Sequence, residues 1–396
     1  MLEPGYWIGM NRMTEVGLTP HQVFQQALAH QNAGELDRAE HLYGFLLECF
    51  PDNPDVNHNM GMIQALKGRP ARALPYLKLA VAAGPDNVEY GLSLAGVLIQ
   101  MGYMDDALEM ARGMQAAIGG DSRLLDLIRR NESRPWFPVL QGVHAPERQA
   151  YMSALVHMQR RGQGPIRILE VGSFMGASLM TWATAVERLT DRPAEICCID
   201  PWDGGDLGQY DYGGSIGQYL EDGTAHRVFR NTLKFIPDRV VVTEMRGQSQ
   251  EMLPTLAGRR FDLIYLDGCH LHPEVLCDLQ ACDGVLAEGG VICGDDLELQ
   301  LHQVDGALAL ANARKDSVGC PGGDGIFHPG VTLGVGRFFG PVSVYRGFWA
   351  MRKAAGGYEQ VSMAGAVGMI PYHWPEEFHD MVRRNIGADG LLAGLL

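Results

Sequence analysis

Two acidic runs each follow a short apolar stretch: Asp267-Gly268-Cys269-His270 comes after Phe261 to Leu266, and Gly294-Asp295-Asp296 ends the run from Gly290. If those stretches are neighbouring parallel strands, Asp267, Asp295 and Asp296 meet at their carboxyl ends. Three carboxylates at such range repel one another unless a cation sits among them. Oxygen donors of this kind suit Mg²⁺ or another hard divalent ion. A bound cation lowers the pKa of an alcohol and holds its oxygen in line for attack. His270, three residues beyond the first aspartate, is placed to accept the proton. The nearby Cys269, His270, His272, Cys277 and Cys282 match no common zinc spacing.

A second constellation precedes this one. Ile166 to Val171 reads as a strand, Gly172-Ser173-Phe174-Met175-Gly176-Ala177-Ser178 as a turn, Leu179 to Leu189 as a helix, and Glu195 to Ile199 as a strand ending in Asp200. Glycines let backbone approach a nucleoside closely, and a carboxylate at the next strand tip suits ribose hydroxyls. The spacing Glu170-x-Gly172-x-x-x-Gly176 departs from the G-x-G-x-x-G of pyrophosphate sites. It resembles the first motif of class I S-adenosylmethionine methyltransferases. That resemblance implies a cofactor site of Glu170, Gly172, Ser173, Gly176, Ser178 and Asp200, with Gln248 and Ser249 after the third strand near the adenine.

Further strands at Arg239 to Glu244, Phe261 to Leu266 and Gly290 to Cys293 alternate with helical stretches at Gln250 to Leu256 and Pro273 to Leu286. Such alternation predicts an α/β fold with a doubly wound, Rossmann-like parallel sheet. The run Asp262-Leu263-Ile264-Tyr265-Leu266-Asp267-Gly268-x-His270, the later Asp278-Leu279, and Gly289-Gly290-Val291-Ile292-x-Gly294-Asp295-Asp296 resemble the metal-dependent, macrocin-type O-methyltransferases that act on macrolide sugars. Gly330-Val331, Gly334-Val335 and Phe338-Phe339 resemble that family's helix after its paired acids. Over about residues 140 to 355 the resemblance implies methyl transfer to a sugar hydroxyl, with Asp267, Asp295 and Asp296 as metal ligands and His270 as base. A catechol or polyketide hydroxyl, or an inactive domain on a scaffold, are the alternatives. Leu297 to His328 intervene between acids and helix, and Trp202 to Tyr219, rich in glycine, aromatics and acids, reads as a lid.

The front of the chain is different. Gly34, Gly68 and Gly102 are 34 residues apart, as are Ala39, Ala73 and Ala107, and Ala27, Gly61 and Ala95. A fixed period of this kind predicts stacked helical hairpins, broken at each glycine and closely packed at the small residues, with Leu46, Leu77, Leu94 and Leu98 between them. It resembles the tetratricopeptide repeat over about residues 20 to 121, with Asp121 to Arg130 as a capping helix, although Val23, Asn57 and Gly91 stand where a large aromatic is usual. The stack offers a surface for a protein partner or for a second copy of the chain.

The expected organisation is a segment 1–19, the all-α repeat domain 20–131, a linker and docking helix 132–164, the methyltransferase domain 165–355 and a tail 356–396. Arg134-Pro135-Trp136-Phe137-Pro138 reads as a stiff joint, and Pro146 to Arg161 as an amphipathic helix. With 396 residues, 46% apolar and 20% charged, the chain has material for two sizeable cores. A net charge of −15 disfavours nucleic acid and anionic membrane as partners. No apolar run is long enough to span a bilayer, no secretory leader is legible, and eight cysteines without a framework fit a reducing cytoplasm.

Overall fold

The computed structural model describes residues 18–133, 147–203, 215–323, 325–363, 366, 369–374, 379–380 and 383–384. The chain divides into two compact units, Met1–Arg134 and Pro135–Leu396. The joint at 134–138 lies outside the described residues, as does the lid apart from residues 202, 203 and 215–219.

In the first unit, α1 (Pro20–Asn32), α2 (Leu36–Cys49), α3 (Pro54–Leu66), α4 (Pro70–Ala83), α5 (Val88–Gln100) and α6 (Met104–Ile118) pair as hairpins, and α7 (Ser122–Ser133) follows them. Caps start the first helix of each hairpin: the Thr19, Asn53 and Asn87 side chains accept from the backbone N–H of Gln22, Val56 and Glu89. Gly34, Gly68 and Gly102 end it at φ 75°, 70° and 77°, a left-handed conformation that costs any other residue strain. Ala27, Ala39, Ala73, Ala95 and Ala107 are fully buried, and a Cβ at Gly61 would overlap the Leu77 side chain. The 34-residue period is thus a period of close helix approach.

The second unit begins with α8 (Glu147–Met158) and β1 (Ile166–Val171). There follow α9 (Ala177–Leu189), β2 (Ala194–Asp200), α10 (Ser215–Glu221), α11 (Thr224–Thr232), β3 (Val240–Arg246), α12 (Ser249–Met252), β4 (Phe261–Leu266), α13 (Glu274–Val285) and β5 (Leu286–Leu297). After α14 (Gly306–Ala311), a small hairpin of β6 (Val318–Gly319) and β7 (Ile326–Phe327) leads into α15 (Pro329–Phe339), β8 (Ser343–Tyr345), β9 (Gly347–Ala354) and β10 (Gly357–Gln360). The large sheet has the order β10-β9-β5-β4-β1-β2-β3, with β8 also on β9. β3, β2, β1, β4 and β5 are parallel, while β9 runs antiparallel to β5. The central strands are apolar and covered on both faces, as parallel strands require.

Two segments differ from their sequence reading. The helix expected to be an amphipathic connector, α8, is buried along nearly its whole length, because its polar residues find internal partners: Gln149 accepts from Thr181 Oγ1 at 2.8 Å and from Trp374 Nε1 at 2.6 Å. It packs on α9. The stretch from 356, read as a tail, supplies the edge strand β10 and the buried Val361, Met363, Ala366, His373 and Trp374.

The hairpin geometry has a direct test. Gly68→Ala meets open space but keeps a positive φ, so it is expected to cost about 1 kcal/mol. Gly61→Val must displace Leu77 and should cost more, about 3 kcal/mol. Urea unfolding followed by helical circular dichroism measures both, and equal costs would rule out the close approach.

Candidate active site

Backbone register builds the site. Leu266 on β4 lies opposite Gly294 on β5, so the next residues, Asp267 and Asp295, emerge side by side from the carboxyl ends of adjacent parallel strands. Asp296 follows in a left-handed conformation, φ 62°, which turns its side chain away from the strand's alternation. His270 closes the turn after β4. Its Nε2 lies 3.0 Å from Asp296 Oδ2 and 4.0 Å from Asp267 Oδ1, and its Nδ1 is 2.9 Å from Asp316 Oδ1. The structure therefore brings Asp267, Asp295, Asp296 and His270 together. Val171, Leu266, Val331 and Trp349 supply apolar wall to the same cavity, which has about 360 Å³ of open space.

The sequence reading missed the positive charge inside this cluster. Arg148, from α8, reaches Asp295 with its Nη1 and lies 3.7 Å from Asp267 Oδ2, which also accepts from Tyr265 Oη at 2.9 Å. Its signal was a lone arginine in a run of residues that bury. Three further partners come from the segment between β5 and α15: Asp316, Glu298 and His328. His328 Nδ1 lies 3.1 Å from Glu298 Oε1 and 4.0 Å from Asp296 Oδ1. Nothing local in the sequence ties them to the strand ends.

The electrostatics follow from crowding. Burial pushes Asp267 up to about 7 against the pull of Arg148, and the neighbouring Asp296 and Asp295 add to the rise. Burial raises Asp295 as well. Burial would raise Asp296 too, but the facing His270 overrides it and holds this carboxyl below the usual range. For His270, burial works against charge, yet Asp296 and Asp316 lift it well above an ordinary imidazole. Without a cation the favoured form is therefore an imidazolium. Among the described residues, donor atoms of Asp267, His270 and Asp296 lie within 4.8 Å of one another, as do those of Asp296, Glu298 and His328.

The glycine turn abuts this cluster. Gly172, at φ 90°, runs so close to β4 that a Cβ there would collide with the Asp267 carbonyl. Gly176, also at positive φ, caps α9. Glu170 is fully buried beneath the turn and accepts from Ser173 Oγ at 2.6 Å; burial raises it, while Ser173 and Ser178 pull the other way. Asp200, at the tip of β2, accepts from the backbone N–H of Phe174 at 2.8 Å and of Trp202 at 2.7 Å. It fastens the turn, and a carboxylate has lone pairs left for more. Gln248 is exposed at the end of β3. Ser249 donates to both oxygens of buried Asp278, at 2.8 and 2.9 Å, and Asp278 lines the acidic cavity.

Two measurements follow. Arg148→Met leaves Asp295 buried without its counter-charge and is expected to cost about 3–5 kcal/mol in chelator-treated protein. Adding Asp295→Asn should restore most of that, and independent, additive losses would show that the pair does not interact. Burial pushes Asp278 up to about 6, above an unfolded aspartate at about 3.9, so the folded chain binds the extra proton between these values. This group's contribution to stability therefore falls as pH rises from about 4 to 6. Asp278→Asn should gain on the order of 2–3 kcal/mol relative to wild type between pH 4 and 7 in urea unfolding; a constant difference would contradict the shift.

Residues 169–297 match the family model of a methyltransferase domain, and residues 64–130 that of a tetratricopeptide repeat. No curated protein matches the chain. Similar solved structures include CalS11, a TDP-rhamnose 3′-O-methyltransferase of calicheamicin biosynthesis, at 17% identity and TM-score 0.32 over 54% of this chain and 83% of that one. Cofactor-bound Rv0187 from MTB is 16% identical, TM-score 0.33, over 61% of this chain and 93% of its own. The Bacillus cereus O-methyltransferase in complex with SAH is 16% identical, TM-score 0.29, over 60% and 88%. With the acids and the glycine turn at the same end of a doubly wound sheet, and with one model matching a segment of each unit, the chain carries a class I methyltransferase domain preceded by tetratricopeptide repeats.

Proposed function

We propose that the second unit transfers the methyl group of S-adenosylmethionine to a hydroxyl, with a divalent cation at the ends of β4 and β5, and that the hydroxyl belongs to a sugar or glycosylated metabolite. The observation that carries this reading is the contact of the Gly172 turn with Asp267, so that a donor held by the turn would have the acids as neighbours. When bound, S-adenosylmethionine supplies an electrophilic methyl. The turn from Gly172 to Gly176 offers backbone, Asp200 its remaining lone pairs, and Gln248 and Ser249 polar groups beyond β3. When bound, a divalent cation lowers the pKa of an acceptor hydroxyl.

Asp267 and Asp296 fit as the directly binding carboxylates, because buried His270 Nε2 faces both without a hydrogen bond and so leaves room for a cation between them. Asp295, held by Arg148, has its second oxygen to give. Val171, Leu266, Val331 and Trp349 give the acceptor an apolar wall beside the acids. The motif resemblance supports a carbohydrate acceptor. The repeats fit a protein partner or a second copy of the chain, as their stacked hairpins present one continuous surface.

The test is methyl transfer from labelled S-adenosylmethionine to a panel of nucleotide sugars and glycosides set against catechols. Asp296→Asn should lower turnover at least about 10²-fold while calorimetric affinity for S-adenosylmethionine stays within about threefold. Unchanged turnover would sink the cation's role, transfer to catechols alone would sink the sugar, and a chain that binds no S-adenosylmethionine would be a scaffold.

A further inference from the structure

The surroundings of His270 do not suit a free proton acceptor. Its backbone is fixed: Gly330 of α15 packs so tightly that a Cβ there would overlap the His270 carbonyl oxygen. Its Nδ1 lies 2.9 Å from Asp316 Oδ1, and since a carboxylate only accepts, the ring hydrogen sits on Nδ1. The other nitrogen, Nε2, is the one open to a metal ion. It is buried, it faces Asp296 and Asp267 at 3.0 and 4.0 Å, and it makes a hydrogen bond with neither. Between two carboxylates that nitrogen takes a positive partner, either a proton or a metal ion that displaces it.

A metal ion that displaces the proton binds the nitrogen and both carboxylates at once, and donor atoms of Asp267, His270 and Asp296 lie within 4.8 Å of one another. A carboxylate behind the far ring nitrogen is also the usual second layer of a metal-bound histidine, fixing tautomer and ring orientation. A second imidazole is close by: the His328 ring stands edge-on to His270 with centroids 4.9 Å apart, and donor atoms of His270, Asp316 and His328 lie within 4.8 Å of one another. Resting on the reading of a divalent cation at this site, we infer that His270 is a ligand of that cation and that the seat is a mixed nitrogen and oxygen site selecting a first-row transition ion over Mg²⁺. Imidazole suits such ions, whereas Mg²⁺ prefers an all-oxygen shell.

The experiment uses the full chain, stripped with chelator and given the metal alone. With Mn²⁺, electron spin echo spectroscopy should show ¹⁴N modulation from a coordinated imidazole, lost in His270→Ala. In calorimetric titration Co²⁺ should bind at least about 100-fold more tightly than Mg²⁺, and His270→Ala should weaken Co²⁺ at least about tenfold while changing Mg²⁺ less than about threefold. Bound Mn²⁺ without nitrogen modulation in the wild type, or modulation that persists in His270→Ala, overturns the inference and leaves the proposed transfer reaction standing. If neither Mn²⁺ nor Mg²⁺ binds, the proposed cation and this inference fall together. The wild-type spectrum decides the matter even if the variant does not fold.

Discussion

Three aspartates crowded at the ends of two adjacent strands set the terms for the rest of the second unit. At about 4 Å, each like-charge pair costs about 4 kcal/mol in a partly buried setting, so bare carboxylates could not share this corner. The chain answers from two directions. Arg148 arrives from the helix before the sheet and His270 from the turn after β4, while burial above all, with Asp296 and Asp295, still raises Asp267. The close approach of donor atoms from Asp267, His270 and Asp296 is the physical basis for reading the corner as a cation seat.

The sheet makes this concentration possible. Parallel order places the carboxyl ends of these strands on one side, and the pairing of β4 with β1 brings the glycine turn after β1 against Asp267. Left-handed residues occur where the chain leaves its strands to form these turns: Phe174 and Trp202 by the glycine turn, Asp296 at the acids. Strain of this kind persists only where neighbours hold it, and each of these residues is so held: Asp200 grips the amides of Phe174 and Trp202, while His270 faces Asp296.

What could be read from the sequence was whatever is written locally. The 34-residue period marks helix breaks because only glycine takes φ near 70° without strain there. The strands at Ile166 to Val171 and Phe261 to Leu266 have the boundaries their apolar runs indicate. The acids, the glycine turn and His270 were legible as residues following strands. Arg148, Asp316, Glu298 and His328 were not, since their part depends on contacts between distant segments: 147 positions separate Arg148 from Asp295. Polar residues in α8 suggested a wet face, whereas Gln149 spends its carbonyl on Thr181 and Trp374 inside the protein.

That glutamine ties the two extremities of the second unit together. Trp374, far beyond the last strand, is anchored to the residue next to the arginine that balances the acids. A chain trimmed after Gln360 would keep the described strands and Asp267, Asp295 and Asp296, yet would uncover the back of α8 and strip a donor from its buried amide. The stretch with Val361, Met363, His373 and Trp374 is therefore a buttress behind the acidic corner, and it belongs in any shortened version of the protein meant to retain that corner.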